Sequence, residues 1–341
     1  AEGNVAHDPM NEFVRKNVLM QQRPLAQTAR EFKLTPEQAV EKLLSCLTKL
    51  REIRAKRPRP HLDDKIITAW NGLMISALAK GAQVLGERAY ASLAATAAEF
   101  IRTELWDESS GTLYRMWREG RGEIAGFAED YAYLIQGLLD LYEADFDVRW
   151  LQWAERLQER MDALFWDETR GGYFNSRADD PSVIVRLKED YDGAEPAPSS
   201  VAAMNLVRLD WLLGLAGARE KALATVESLR VQWSSHPHAL PQMLCAIELA
   251  LESPRTVVLA GDPTSDEFRS LAATLHLELG PRRAVLAADG GEGQRWLATR
   301  RGYLAEMKPI EGKAAAFVCE DFTCQAPVTT VDELKRVLRG E

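Results

Sequence analysis

The sequence predicts a mainly α fold in which helical hairpins stack into a ring or array and a small α/β domain follows. Three observations carry that prediction. First, Trp106-Asp107-Glu108-Ser109-Ser110-Gly111, followed by Tyr114, returns sixty residues later as Trp166-Asp167-Glu168-Thr169-Arg170-Gly171, followed by Tyr173 and Phe174. A period of that length suits a helical hairpin plus one long loop, a unit that buries its apolar faces only by stacking on neighbours. Second, the helical segments alternate between two kinds, one apolar around most of its circumference and one cleanly amphipathic. Third, after Pro254 the pattern changes to short aliphatic runs with helices between them.

Taken in order, residues 1–34 read as a loop-rich lead-in with Pro9 and Pro24 and little periodicity. Thr35-Pro36-Glu37-Gln38 opens a helix, with Thr35 as N-cap and Pro36 at the first helical position, and Pro58 and Pro60 end it. Residues 35–253 form the hairpin array, about eight helices in all. Lys65 to Ala79, Glu129 to Tyr142 and Ser199 to Leu213 are the candidate inner helices. The amphipathic counterparts carry Tyr90, Leu93, Ala94, Ala97, Phe100 and Ile101 on one stripe, and Leu151, Ala154, Leu157, Met161, Leu164 and Phe165 on the other. Arg219 to Trp233 and Pro241 to Leu251 complete the set. Links within hairpins are short, at Gly86 and at Asp145 to Asp147, whereas those between hairpins are long, Asp107 to Ala125 and Asp167 to Pro198. An antiparallel stack then places every long loop and every inner-helix N-terminus on one rim, where loops build sites. Residues 254–341 hold the runs Thr256 to Gly261, Arg283 to Ala288 and Ala314 to Cys319, expected to pair in parallel, with helices near Ser265 to Leu279 and from Thr330.

The net charge of -9 gives no electrostatic footprint for nucleic acid or an anionic membrane. No apolar run reaches the roughly 18 to 20 residues of a membrane span, and the N-terminus lacks the apolar core of a signal peptide. A cytoplasmic protein is the expectation. Four cysteines make no disulfide framework: Cys46 and Cys245 read as buried reduced thiols in helices, and Cys319 and Cys324 as reduced neighbours at a strand end, matching neither a redox nor a zinc spacing. No metal and no cofactor is implied.

Three acidic clusters fall at inner-helix starts. They are His61-Leu62-Asp63-Asp64-Lys65 with Trp70 and Asn71 one turn on, Gly126-Phe127-Ala128-Glu129-Asp130-Tyr131, and Asp190-Tyr191-Asp192-Gly193-Ala194-Glu195. Carboxylates converging on aromatic rings suit a polyhydroxylated ligand, since rings stack on sugar faces and acids accept hydroxyl hydrogen bonds. A suitably separated pair also serves glycosidic cleavage. Helix N-termini favour acids for capping in any case, and neighbours such as Glu129 and Asp130 point different ways. On this reading Glu129 and Asp64 are the candidate catalytic acids, and Trp70, Asn71, Asp130, Tyr131, Asp192 and Glu195 the candidate ligand-binding residues. The Trp-Asp-Glu-x-x-Gly turns read as structural, with the Gly supplying a positive φ. Trp150, Trp153 and Trp211 read as core.

The run from Arg57 to Met74, with Glu129-Asp130-Tyr131-Ala132, Asp192-Gly193-Ala194-Glu195-Pro196, Pro241-Gln242-Met243-Leu244 and Phe317-Val318-Cys319 with Cys324, resembles the spermatogenesis-associated protein 20 family of thioredoxin-domain-containing proteins. The resemblance implies an N-terminal thioredoxin-like domain followed by an (α/α)6 toroid like those of six-hairpin glycosidases and N-acylglucosamine 2-epimerases. That domain and the first toroid hairpins have no counterpart here, so the chain is expected to be the C-terminal part of a longer protein with an incomplete ring. Pro198-Ser199 also stands where the family pattern has Gly-Asn. The implied functions are a carbohydrate-type pocket, glycosidase-like or sugar isomerase/epimerase-like if catalytic, or a non-catalytic scaffold working with the thioredoxin-like domain in redox or protein quality control. None of the five histidines lies on an inner-helix face, as an epimerase base pair would require.

Overall fold

The computed structural model describes residues 3–278, 280, 282–320 and 323–340. The chain divides by contact into two compact units, Ala1–Asp63 and Asp64–Glu341. In the first, Asn4 exchanges side-chain hydrogen bonds with the backbone of Val18, both 2.7 Å. The expected loop-rich lead-in contains a short helix, α1 (Leu25–Glu31), whose one-turn apolar signal is carried by the buried Ala29. Helix α2 (Pro36–Ala55) starts at the predicted cap, with Thr35 and Gln38 forming a reciprocal capping box. Val40, Leu43, Leu44, Leu47, Leu50 and Ile53 along it are exposed.

The second unit opens with strand β1 (Ile66–Ile67) and α3 (Thr68–Leu85). The predicted helix start at Lys65 moves to Thr68, because Ile66 and Ile67 pair with Trp117 and Met116 and are drawn into extended backbone. Then come α4 (Arg88–Phe100), β2 (Trp106–Asp107), β3 (Thr112–Leu113), β4 (Met116–Trp117), α5 (Ala128–Asp145), α6 (Val148–Phe165) and α7 (Pro198–Leu213). The segment expected as one helix from Arg219 to Trp233 is two, α8 (Ala218–Ser228) and α9 (Arg230–Ser235), broken at Leu229; α10 (Pro241–Ala250) follows. Helices α3, α5 and α7 are the inner row and α4, α6 and α8 pack behind them. The α3–α5 crossing is set by two glycines. A Cβ on Gly72 would stand 2.6 Å from the Tyr133–Leu134 backbone, and one on Gly137 2.6 Å from the Gly72 carbonyl, so the two backbones touch. Asn205 of α7 donates to the Ala132 carbonyl of α5 at 2.8 Å and ties the third inner helix to the second.

The repeated turns behave as punctuation. Gly111 and Gly171 have φ of 62° and 70°, and each donates its N–H back to the carbonyl of Asp107 or Asp167. Trp106, Trp150, Trp153 and Trp211 are all buried. The matching stripes of α4 and α6 fare differently, however. Leu151, Ala154, Leu157, Met161 and Phe165 are fully buried, whereas Leu93 on α4 is 56% exposed, as are Met74 on α3 at 56% and Leu85 at 65%. One flank of the array is therefore bare.

The remaining elements are β5 (Arg255–Ala260), α11 (Asp266–Leu277), β6 (Arg283–Ala288), α12 (Glu292–Ala298), β7 (Ala315–Glu320), β8 (Thr323–Cys324) and α13 (Val331–Arg339). Their sheet has the order β6-β5-β7-β8. The expected parallel pairing holds for β5 with β6 but not for the third run, since β7 lies antiparallel to β5. A parallel neighbour needs a crossover that returns to the starting edge, and strand composition does not reveal which edge is used. Residues alternate along the strands: Val258, Ala260, Leu286 and Ala288 join the helical core, and Val257, Leu259, Val285 and Ala287 pack with α11 and α13. Phe146, in left-handed backbone at φ 60°, closes α5 and sets its ring edge-on against Phe268 of α11 at 5.2 Å. The outward N–H of Ala287 donates to the Tyr142 hydroxyl at 3.1 Å, so a helix side chain completes that strand's hydrogen bonding.

Candidate functional site

The three inner-helix N-termini do lie together. The Ala69 N–H of α3 donates to Asp130 Oδ1 of α5 at 3.0 Å, and the Tyr133 hydroxyl of α5 donates to the Pro196 carbonyl just before α7. This is the rim of long loops, and the loops are ordered by short pairings: β1 with β4, and β2 with β3. Thr68 fixes the start of α3 by donating its N–H to Arg115 O and its hydroxyl to Tyr114 O, at 2.9 and 2.6 Å.

Asp130 is fully buried, and its oxygens accept from Ala69 N, Phe127 N at 2.8 Å and Arg115 Nη1 at 3.2 Å. Burial pushes its carboxyl up to about 7, outweighing the Phe127 and Ala69 amides and Arg115. Asp192, 9% exposed, accepts from Ala197 N at 2.7 Å and from Gln242 N at 2.8 Å, which pins its loop to the start of α10. Tyr131 is buried with its hydroxyl accepting from Leu113 N at 3.1 Å. All three expected ligand-binding residues have polar atoms engaged by backbone amides: Asp130 and Asp192 in the capping role that helix starts favour, and Tyr131 by holding the strand amide of Leu113. Asn71 donates its amide to the Ile67 carbonyl at 2.9 Å.

Glu129, Glu195 and Trp70 are placed differently. Glu129, on the next helical step from Asp130, faces Arg115 Nη1 at 2.7 Å. Trp70 is 55% exposed and its indole Nε1 donates to Glu195 Oε1 at 2.8 Å, a contact across 125 residues of sequence. Asp64 pairs with Arg118 at 2.7 Å. Glu129 and Asp64 thus each face a guanidinium, Arg115 and Arg118, supplied three residues apart by the same loop, with Arg115 shared between Glu129 and Asp130. Sequence reasoning missed those arginines, because nothing in the spacing of a connecting loop says which helix start it will cross. It also missed Glu189. Burial holds that carboxyl above its usual range, and Glu129, Glu195, Asp192 and Asp190 around it push the same way. Its place immediately before the third acidic cluster was the available signal. Burial likewise raises Tyr133, with Glu195, Glu129, Glu189 and Asp192 adding to it. Further along the loop a cleft of about 520 Å³ is lined by Asp167, Phe174, Arg186, Lys188, Asp190 and Gln232.

Two expectations about cysteine are corrected. Cys46 and Cys245 are free but exposed, because each sits on the solvent side of its helix. Cys319 and Cys324 form a disulfide, since an antiparallel register sets them directly opposite one another. Among the described residues no helix is long and apolar enough to cross a membrane, and no group of three or more His, Cys, Asp or Glu side chains is gathered for a metal ion.

No family model matches the chain. It is 37% identical over 347 residues to spermatogenesis-associated protein 20 of Homo sapiens, covering 98% of this chain and 44% of that protein. It is 35% identical over 349 residues to an uncharacterised protein of Caenorhabditis elegans, covering 98% and 46%. The chain is therefore a homologue of spermatogenesis-associated protein 20 that spans less than half the length of these relatives. Among solved structures it is similar to the cellobiose 2-epimerase of Bacillus thermoamylovorans, with 13% identity, a TM-score of 0.42 and coverage of 78% of this chain and 68% of the other. It is also similar to a family 76 α-mannanase of Bacteroides thetaiotaomicron, with 14% identity, a TM-score of 0.45 and coverage of 64% and 59%.

Proposed function

We propose that the long-loop rim binds a carbohydrate-type ligand, with Trp70 as the stacking surface and Glu129 and Glu195 as hydrogen-bond acceptors. The observation that carries this reading is the Trp70 indole, more than half exposed and held by Glu195, with Glu129 and Glu195 both close enough to Glu189 to repel it. A flat apolar ring edged by fixed carboxylates is what a sugar face with equatorial hydroxyls needs. Asp130, Tyr131 and Asp192 act one layer below, holding helix starts and loops in place, and Asn71 orients the first turn of α3. Where the bound sugar is turned over, Glu129 and Asp64 are the acid and base, each with its charge balanced by Arg115 or Arg118. Calorimetric titration with cellobiose and β-1,4-mannobiose tests the reading. Binding is expected for at least one of them and is lost in Glu195→Gln and Trp70→Ala; no heat with either sugar, at protein concentrations that detect millimolar affinity, counts against it.

A second reading rests on the bare flank of α3 and α4. Met74, Leu85 and Leu93 are more than half exposed, and the chain spans under half the length of its relatives. On this reading the flank seats further hairpins of the longer protein and the unit is a scaffold, partnered by the thioredoxin-like domain that the sequence resemblance implies. Trp70 shares α3 with Met74, so the two readings compete for it. The double change Met74→Glu/Leu93→Glu separates them: it leaves sugar binding intact under the first reading, and abolishes assembly with the remainder of the longer protein under the second.

A further inference from the structure

The hairpin of β7 and β8 carries a chemistry that the rim does not use. Cys319 and Cys324 are paired in register, and the next pair inward is closed by Gln325 N donating to Val318 O at 3.0 Å. Hydrogen-bonded and non-hydrogen-bonded pairs alternate along an antiparallel ladder, so the cysteines occupy a non-hydrogen-bonded position, where facing side chains approach most closely. That geometry explains why two thiols with no Cys-x-x-Cys spacing are joined.

The bridge is not what holds the hairpin. Besides the Val318–Gln325 bond, Ala316 and Val328 exchange two backbone hydrogen bonds, at 2.8 and 3.0 Å. The segment enclosed by the bridge is short, and cross-links constrain the unfolded chain least when the loop they close is short. The two sulfurs also differ in access. Cys319 is 8% exposed and lies in the sheet beside Thr256 of β5, while Cys324 is exposed on the edge strand. The other two cysteines of the chain are exposed and remain free, so disulfides are not a general device here. An exposed disulfide that adds little to folding is of the labile kind.

We propose that Cys319 and Cys324 are a reversible two-electron exchange centre for an external dithiol. A thiolate of the dithiol attacks Sγ of Cys324, the exposed partner on the edge strand. The Cys319–Cys324 bond breaks, its electron pair passes to Cys319 Sγ, and that thiolate takes a proton from water. The second thiol of the reductant then attacks its own sulfur in the mixed disulfide and releases Cys324. The dithiol leaves oxidised and the protein keeps two thiols; glutathione disulfide reverses the sequence through the same sulfur.

The test uses the Cys46→Ser/Cys245→Ser protein, equilibrated from both directions in glutathione buffers of graded ratio, alkylated and weighed by mass spectrometry. The expected result is one two-electron transition reached from the oxidised and the reduced side alike, with the circular dichroism of the folded protein unchanged across it. A bridge that resists millimolar dithiothreitol until the protein is denatured, or thiols that never join under excess glutathione disulfide, overturns the proposal. A second comparison assigns the attacked sulfur. With Cys319→Ser, the remaining Cys324 should form a mixed disulfide with glutathione at least about tenfold faster than Cys319 does in Cys324→Ser, because exchange depends on access. Equal rates would remove Cys324 from its role.

Discussion

The two ends of the inner helices both carry buried acids, in opposite circumstances. At the C-terminal end, Asp140 of α5 is ringed by Arg208 Nη1 at 2.9 Å, Lys80 Nζ at 3.1 Å and Ser76 Oγ at 2.5 Å, with Glu143 beside the same two cations. Burial alone would raise Asp140, but Arg208 and Lys80 outweigh it and hold the carboxyl below its usual range. At the N-terminal end, Asp130 is raised to about 7, and Glu189 is raised by burial and by its acidic neighbours. One end compensates its charge and the other leaves part of it uncompensated. Compensation is the mark of a structural cluster, and unrelieved repulsion around an exposed tryptophan is the mark of a place kept for something else.

The largest expected effect that sharpens this contrast is at Arg208. Removing one partner of a buried ion pair strands the other, so Arg208→Ala should cost about 3–5 kcal/mol in urea denaturation. A cost under about 1 kcal/mol would break the contrast, since surface pairs are worth no more than that. The next effect is a pH dependence. Asp130 titrates near 7 when folded against 3.8 as its reference, so it favours the folded state below 3.8 and loses that contribution as pH rises through 7. Asp145, raised to about 6 by burial, acts in the same direction. His276, lowered by burial to about 4 from 6.5, acts in the opposite one: its contribution is present above 6.5 and is lost as pH falls through 4. Between pH 4 and 6.5 these oppose each other. Relative to the unsubstituted protein, Asp130→Asn should remove a few kcal/mol of the stability gained on acidification and leave a nearly flat profile, since Asp145 and His276 then roughly cancel, whereas His276→Gln should steepen the gain by a few kcal/mol, at roughly 1.4 kcal/mol per pKa unit. Denaturation midpoints from pH 4 to 8 measure both, and parallel curves for the two variants would contradict the assignment. The smallest effect is at Glu189, where Glu189→Gln relieves repulsion and should leave stability unchanged or raise it within about 0.5 kcal/mol. A loss beyond 2 kcal/mol would place Glu189 with Asp140 as a structural acid.

Local signals made the helical part legible. Thr35, Gly86 and Gly111 mark their cap, link and turn because each answers a backbone requirement that its own neighbours impose. The acids at the inner-helix starts were equally visible, but their division of labour was not. Glu129 and Asp130 are adjacent and chemically alike, yet Asp130 accepts from Phe127 N of its own first turn and from Ala69 N of another helix, while Glu129 meets the loop's Arg115. Arg115 and Glu189 depend on crossings between segments distant in sequence, the Cys319–Cys324 bond on the register of a local hairpin, and the antiparallel direction of β7 on its pairing with β5. Strand direction and cross-strand partners are properties of pairs, and a single strand's composition does not carry them.

The central claim is that the long-loop rim, and not the opposite end, receives a ligand. It is tested most directly by following the Trp70 indole N–H in ¹H–¹⁵N spectra, assigned by Trp70→Phe, while cellobiose or β-1,4-mannobiose is added. A saturable shift of that resonance, abolished by Glu195→Gln and unchanged when Lys80 at the far end is replaced by Met, is the predicted result. A Trp70 signal that stays fixed through saturating concentrations of both sugars would contradict it.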